Sequence, residues 1–232
     1  MGYKDSKQVA GSSVAQQECH EEVCKKTPPS MATGACSYYK NRHENYIQRH
    51  QHDSKSGGDN PPSYYLDYGF KYCTAFKEET YEELSGKGKV WLNRTLKLLQ
   101  EYMELGVVDK TYLATVNKAY NKRHDLPKNI TKFYTGIECR NDDFRDFAFA
   151  THPDAYNPKV MQTLPCSDLI LIANTPAYKE WLSGATWEQA IIMGKHMNIT
   201  DIMLGCLDES SSYLADKIQD IFEDLAEKFT RW

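Results

Sequence analysis

The sequence predicts an all-α protein, a compact bundle of about seven helices preceded by an N-terminal segment of low complexity. Three observations support this prediction. Apolar residues recur at three- and four-residue steps from residue 63 onward, capping residues and prolines mark several helix starts, and strand-like alternation is weak throughout. The 232 residues leave room for one well-packed domain and an appendage.

The N-terminal segment differs in composition from the rest of the chain. Residues 1–60 contain no Leu, Phe or Trp and are polar, which is typical of disorder or of a segment that a partner or metal must order. The stretch Ser54–Pro62 is typical of a linker. We therefore predict a polar tail and linker containing Cys and His, residues 1–60, and a helical domain, residues 61–232, that folds without it.

The helical domain is predicted to begin at Ser63, a candidate N-cap after two prolines. The turn Ser85–Gly88 ends the first helix, and Gly106 ends the second. Further starts are predicted at Asp109, Asn141, Ser167, Thr175 and Thr186, and a break at His152–Pro153. The apolar stripes fall, in chain order, at Leu66–Phe76, Trp91–Met103, Tyr112–Tyr120, Phe144–Ala148, Leu169–Ile172, Tyr178–Leu182, Ile191–Met193 and Leu214–Phe229.

Charge and hydropathy exclude two classes of function. The net charge is −4 and the isoelectric point is near 6.0, so no basic surface is expected and nucleic-acid binding is not predicted. No apolar stretch approaches the roughly 20 residues that cross a bilayer, so no transmembrane segment is expected.

The seven cysteines form no dense, even framework, so free thiols are expected. Several cysteines and histidines nevertheless cluster in the N-terminal segment, and Cys19, Cys24, Cys36 and His43 are candidate ligands for a zinc ion that orders it. The alternative is a disordered tail that happens to contain these residues. No other cofactor is expected.

A second group of residues brings together a thiol, an imidazole and carboxylates. If Glu138 or Asp146 faces His152, the pair is suited to general acid–base catalysis, and Cys139 beside His152 provides a thiolate nucleophile. The alternative is structural: the acidic residues cap a helix, the phenylalanines fill the core, and His152 forms a hydrogen bond near a helix end.

Tyrosine is abundant, with 16 residues in the chain. Tyr64, Tyr65, Tyr68 and Tyr156 are candidates for a protein- or glycan-binding groove, since aromatic side chains are enriched at interfaces. The alternative is that they cover the core and expose only their hydroxyl groups.

Several motifs in residues 61–192 resemble a known group of proteins. They are Pro61–Cys73, Trp91–Leu92, Leu98–Gln100, Phe147–Phe149 with His152 and Ala155–Tyr156, and Leu164–Pro165 with Asp168–Leu169. Together they resemble poorly characterised helical bacterial proteins associated with type VI secretion and polymorphic-toxin loci. The resemblance brings no catalytic residues with it.

The resemblance implies a bacterial, secretion-associated effector or accessory protein that binds a protein partner, such as the secretion machinery, a cognate effector or an immunity protein. The protein is expected to lie in the bacterial cytoplasm or to be exported without a signal peptide. Two alternatives stay open: a hydrolase-type toxin that uses His152 on cell wall or protein, and a zinc-ordered interaction module.

Overall fold

The computed structural model describes Cys24, residues 26–50, 60–108 and 136–175, and Cys206. Every regular element in this part of the chain is a helix, which confirms the all-α prediction there. The helices predicted within 109–120, 176–193 and 214–229 lie outside the described residues. None of the helices described is both long and apolar enough to cross a membrane.

The helices run in chain order as follows. Helix α1 is Ser37–Arg49; a helical run then comprises a π-helix Tyr65–Phe70, α2 at Lys71–Ala75, a second π-helix Phe76–Thr80 and a 3-10 turn Tyr81–Glu83. Helix α3 is Gly86–Val108, followed by a 3-10 turn Ile137–Cys139, α4 at Asn141–Ala150, α5 at His152–Tyr156, α6 at Pro158–Met161 and α7 at Cys166–Asn174.

These elements belong to two compact units. The first unit takes its described residues from 1–70 and 100–148, and the second from 71–99 and 149–232. Each unit has its own buried side chains.

Helix α1 contributes directly to the core of the first unit. Tyr38, Tyr39, Arg42 and Tyr46 are all at most 2% exposed and recur on one face of the helix. The expectation that residues 1–60 supply no core side chains is therefore wrong for α1. Tyrosine rings and the aliphatic stem of an arginine bury enough apolar area to replace the missing Leu, Phe and Trp.

The rest of the first core is aromatic and closely packed. The ring of Phe144 lies edge-on to Tyr65, with 4.8 Å between the centroids, and 6.4 Å from Phe147. Glycines permit two close approaches: a Cβ at Gly69 would clash with the Tyr39 ring, and one at Gly106 would clash with Phe147.

In the second unit, the predicted turn at Ser85 is the N-cap of α3. The hydroxyl oxygen of Ser85 accepts a hydrogen bond from the N–H of Gly88 at 3.1 Å. Asp168, in the first turn of α7, accepts hydrogen bonds from the N–H and the hydroxyl of Ser85. Leu84, Trp91 and Leu92 are buried in this unit, as are the chain-distant Phe149, Ala155, Leu164 and Ile172.

Candidate functional site

In the first unit, two carboxylates pair with arginines of α1; Glu138 is buried and the Glu104 side chain is 13% exposed. Near the end of α3, Glu104 accepts hydrogen bonds from Nε and Nη2 of Arg42, with 3.0 Å between Nε and Oε2. The hydroxyl of Tyr38 donates to the same Oε2 at 3.0 Å, and the N–H of Met31 donates to Oε1 at 2.6 Å. Arg42 is fully buried, so this ion pair is part of the core.

Glu138, a predicted acid–base residue, is the second of these carboxylates. Nη2 of Arg49 donates to its Oε2 at 2.7 Å, and the hydroxyl of Tyr65 donates to its Oε1 at 2.6 Å. Glu138 is 4% exposed, and both of its oxygens have partners. This geometry is that of a structural anchor, and a catalytic role for Glu138 stays a prediction.

The same two pairs shift the pKa values of the residues around them. Burial and the charge of Glu104 raise the pKa of Tyr38 well above its usual value, and burial and Glu138 do the same for Tyr65. Burial opposes the charged form of Arg42, but the hydrogen bonds to Glu104 and the charges of Tyr38, Tyr65 and Glu104 together outweigh that effect and raise the pKa of Arg42. All three side chains therefore keep their protons at neutral pH.

Beside Glu138 lies a group that we call the sulfur–imidazole cluster: Cys24, His50 and Cys139. Cys24 and Cys139 form a disulfide, with their Cα atoms 6.0 Å apart. Nε2 of His50 lies 3.7 Å from Sγ of Cys139 and 4.0 Å from Sγ of Cys24. In the part of the chain that the structure describes, this cluster could hold a metal ion, since its three ligand atoms lie within 4.8 Å of one another.

The orientation of His50 is set by the last turn of α1. Its Nδ1 lies 2.8 Å from the carbonyl oxygen of Tyr46, and its ring stacks on the Tyr46 ring with 3.9 Å between centroids. A carbonyl oxygen only accepts hydrogen bonds, so Nδ1 carries the proton. In the neutral imidazole, Nε2 therefore presents its lone pair toward the two sulfur atoms.

The structure gathers a different ligand group from the one predicted. Cys24 belongs to both groups, whereas Cys36 is in a disulfide and His43 is half-buried on α1, outside the cluster. Cys19 lies outside the described residues. Sequence spacing could not indicate the true group, because Cys24 and Cys139 are 115 residues apart.

The expectation of free thiols is wrong for most of the cysteines. Cys166 and Cys206 form a second disulfide, with their Cα atoms 5.3 Å apart and a sequence separation of 40. Cys36 and Cys73 are also disulfide-bonded. The Cys24–Cys139 and Cys166–Cys206 bonds join distant segments, so they leave no local cysteine pattern in the sequence.

The remaining predicted catalytic residues occupy separate places in the fold. Asp146 is half-buried on α4 in the first unit, where desolvation raises the pKa of its carboxyl group. In the second unit, His152 begins α5 and packs against the rings of Phe149 and Tyr156, each 5.3 Å away between centroids. A catalytic group made of these residues stays a prediction.

Of the predicted binding tyrosines, two are buried. Tyr64 is 3% exposed and Tyr65 is fully buried, both against Phe144, so they cannot form an exposed binding face. Tyr68 is half-buried and stacks on Tyr64, with 5.9 Å between centroids. Tyr156 is half-buried in the second unit, where it borders a pocket.

That pocket has a volume of about 320 Å³, and α3 supplies one of its walls. Lys87, Trp91 and Arg94 lie on the lining face of α3 at steps of four and three residues. Tyr156 and Val160 contribute to the opposite wall. None of the described residues that line the pocket is acidic.

Polar contacts join the two walls of the pocket. The indole Nε1 of Trp91 donates to the carbonyl oxygen of Tyr156 at 2.9 Å, and the two rings lie 5.9 Å apart. Asn157, which also lines the pocket, has a φ of 50°, a left-handed conformation that is uncommon for residues other than glycine. Sequence analysis predicted Tyr156 here but not Lys87 or Arg94, which look like ordinary surface cations.

No family model, curated protein or solved structure matches this chain. Membership of a secretion-associated family therefore stays a prediction.

Proposed function

We propose that this protein binds a protein partner, and that the pocket of the second unit captures an acidic segment of that partner next to an apolar side chain. The observation that carries the proposal is the pocket lining, which combines aromatic and aliphatic side chains with two cations and no carboxylate among the residues described. Pockets of this kind bind ligands through apolar contact and use a few charged groups for specificity.

The size and charge of the pocket define the ligand. A volume of about 320 Å³ is at the lower end of the range for ligand sites and suits one or two side chains rather than a large cofactor. Lys87 and Arg94 are seven residues apart on α3, which places them about 10 Å apart along its axis. An Asp or Glu of the partner can therefore pair with either cation while a neighbouring apolar side chain contacts Trp91.

The apolar rim also favours a ligand that is not purely ionic. Val90 is 70% exposed and Val160 is 36% exposed, and both line the pocket. Exposed valines next to cations are suited to a partner segment that has both an acidic and an aromatic or aliphatic side chain.

The disulfides support a role outside the reducing cytoplasm. Disulfides persist in the periplasm and outside cells, and they are rare in the cytoplasm. They favour an extracytoplasmic location over the cytoplasmic one predicted from the sequence, and they are compatible with the secretion-associated role that the resemblance implies. The partner in this proposal is a component of the secretion machinery, a cognate effector or an immunity protein.

The experiment is selection from a phage-displayed library of random linear peptides on the immobilised, oxidised protein. We expect enrichment of peptides with Asp or Glu beside an aromatic or aliphatic residue. Arg94→Glu should weaken the binding of a selected peptide at least about tenfold in calorimetry, because repulsion replaces attraction. Val90→Asp should have the same effect, since it adds a negative charge at the exposed rim.

The matched control is Lys97→Glu, which makes the same charge change at an exposed position of α3 outside the pocket lining. This variant should bind the selected peptides as the unmodified protein does. Peptides that lack acidic residues, or an affinity that Arg94→Glu leaves unchanged, would overturn the proposal.

A further inference from the structure

The sulfur–imidazole cluster has the geometry of a metal site once the Cys24–Cys139 disulfide is reduced. Zinc binds sulfur at about 2.3 Å and imidazole nitrogen at about 2.0–2.1 Å, so two such ligands on a tetrahedral ion lie about 3.6 Å apart. Nε2 of His50 is 3.7 Å and 4.0 Å from the two sulfur atoms. The nitrogen-to-sulfur distances are thus already close to those of a zinc site.

Only the separation of the two sulfur atoms is incompatible with a bound metal. Two thiolates on tetrahedral zinc lie about 3.8 Å apart, whereas any disulfide holds its sulfur atoms about 2 Å apart. Rotation of the cysteine side chains after reduction is sufficient to make up the difference. Gly136 allows the backbone to pass close by, since a Cβ at this position would clash with the carbonyl oxygen of Cys24.

The hydrogen bonds of His50 are those of a metal ligand. In protein zinc sites, the nitrogen that does not bind the metal usually donates its N–H to a carbonyl or carboxylate oxygen, which fixes the tautomer and the ring plane. Nδ1 of His50 does this with the carbonyl oxygen of Tyr46, and stacking on the Tyr46 ring holds the plane. The lone pair of Nε2 is therefore oriented before any metal arrives.

The charge and the space at the cluster also suit zinc. One Zn²⁺ with two thiolates and a neutral imidazole has no net charge, so its burial leaves no uncompensated ion. A small cavity of about 10 Å³ borders both cysteines, which is close to the space that one water needs. Glu138 also borders it and already pairs with Arg49 and Tyr65, and the cavity leaves room for a water as the fourth ligand.

We propose that Cys24, Cys139 and His50 form a redox-gated zinc site. A dithiol reductant transfers two electrons and two protons to the Cys24–Cys139 disulfide, which becomes two thiols while the reductant becomes a disulfide. Zn²⁺ then binds both sulfur atoms and Nε2 of His50, and the two thiol protons are released to solvent. Oxidation of the two thiolates by a disulfide oxidant restores the Cys24–Cys139 bond and expels the ion.

This exchange keeps Cys24 joined to Cys139 in both redox states. The segments are 115 residues apart in sequence, so their separation would release a long loop. In oxidising surroundings a covalent bond closes the loop, and in reducing surroundings the metal closes it. The first unit would therefore retain this link when the protein passes between compartments of different redox potential.

The experiment is a cobalt titration of the full chain, with Co²⁺ as a spectroscopic substitute for Zn²⁺. One sample is oxidised and the other is reduced under anaerobic conditions with a phosphine. We expect the reduced protein to bind Co²⁺ with a thiolate-to-cobalt charge-transfer band and the absorption of four-coordinate cobalt. Addition of Zn²⁺ should abolish both signals, and the oxidised protein should show neither.

Variants assign the ligands. Cys139→Ser should remove the charge-transfer band that requires both the Cys24 and the Cys139 thiolates. His50→Gln should weaken cobalt binding at least about tenfold. His50→Gln retains the disulfide, so its fold can be verified by circular dichroism before reduction. His43→Gln on the same helix and the double variant C166S/C206S are the controls, and each should bind cobalt as the unmodified protein does.

Either of two results would overturn the proposal. One is a reduced protein with no thiolate-to-cobalt band. The other is a cobalt affinity that stays unchanged in His50→Gln or in Cys139→Ser, because cobalt would then be bound by other thiols.

Discussion

Arg42, which is fully buried, and Glu104, whose side chain is 13% exposed, form an ion pair in which the carboxylate accepts hydrogen bonds from two nitrogens of the guanidinium. Glu104 lies in the last turns of α3, where the helix dipole disfavours a negative charge. Arg42 offsets this effect and also links α1 to α3 within the first unit. The pair is thus a structural element that neither residue could form alone.

Glu104→Gln is expected to destabilise the protein by about 3–5 kcal/mol, because it leaves the positive charge of Arg42 buried without its counter-ion. The measurement is urea unfolding followed by circular dichroism. Glu82→Gln is the matched control, since Glu82 is 82% exposed and pairs with Lys89 at 3.0 Å. Glu82→Gln should lower the free energy of unfolding by at most about 1 kcal/mol. Equal costs for the two variants would contradict the assigned role of Glu104.

The first turn of α3 contains two glycines, Gly86 and Gly88, whose replacement by alanine should affect stability differently. A Cβ at Gly88 would clash with the carboxylate of Asp168 and press on Leu84, whereas a Cβ at Gly86 would meet no atom within 4 Å. Gly88→Ala should therefore lower the free energy of unfolding by about 1–3 kcal/mol. Gly86→Ala should leave it unchanged or raise it by up to about 1 kcal/mol. Thermal unfolding of both variants in parallel tests the difference, and a destabilised Gly86→Ala would count against it.

The disulfide of the second unit should contribute strongly to stability. Closing a loop of 40 residues between Cys166 and Cys206 restricts the unfolded chain, which is worth about 4 kcal/mol by chain entropy. Replacing both cysteines with alanine should lower the unfolding midpoint accordingly, while Ser167→Ala, at an exposed neighbour, should not. Production in an oxidising rather than a reducing compartment should raise the yield of folded protein. Equal stability of the double variant would contradict this prediction.

Capping residues and apolar spacing predicted the helices well where neighbouring residues alone determine where a helix begins. The capping run at Asn141 and the apolar residues after it predicted α4, and the turn at Ser85 marks the start of α3. Gly106 was predicted to end the second helix, but α3 continues through it to Val108. The glycine is instead needed for packing, because a Cβ at this position would clash with the Phe147 ring. The sequence predicted a helix start at Ser167, but it did not predict that the neighbouring Asp168 caps the start of α3, more than 80 residues away.

The candidate sites depend on pairs that no local pattern reveals. Arg42 and Glu104 are 62 residues apart, and His50 and Cys139 are 89 residues apart. The buried side chains of α1 are tyrosines, a residue type of intermediate burial, and an arginine, a type that is mostly exposed in proteins. The tyrosine face of α1 packs into the core, and long-range polar pairs of Arg42 and Arg49 with glutamates hold it there.

The burial of α1 reverses the sequence-based expectation for a truncated protein. Deletion of residues 1–60 removes Arg42, Arg49 and Tyr38, so Glu104 and Glu138 lose their arginine partners and the side chains that α1 covers lose their packing. We expect the fragment 61–232 to be insoluble or to lack a cooperative unfolding transition. A chain that begins at Cys24 is the control, because it retains every contact described for α1. Cooperative unfolding of the fragment 61–232 would contradict this prediction.

The buried tyrosines predict a loss of stability at alkaline pH. An unfolded tyrosine has a pKa of about 10, and the pKa values of Tyr38 and Tyr65 are raised well above that in the folded protein. Below about pH 10 both states keep these protons, so the contribution to stability is fully present. Above it the unfolded state releases protons that the folded state retains, and stability falls by up to about 1.4 kcal/mol per pH unit for each tyrosine.

The double variant Y38F/Y65F cannot release these two protons in either state. We expect it to be less stable at neutral pH, because Glu104 and Glu138 each lose a hydrogen-bond donor. Its stability should nevertheless fall less steeply than that of the unmodified protein between about pH 9 and about pH 11 in urea unfolding. Tyr68→Phe, at a half-buried tyrosine outside both ion pairs, should retain the steep fall. Parallel pH profiles for the double variant and the unmodified protein would show that Tyr38 and Tyr65 do not govern alkaline unfolding.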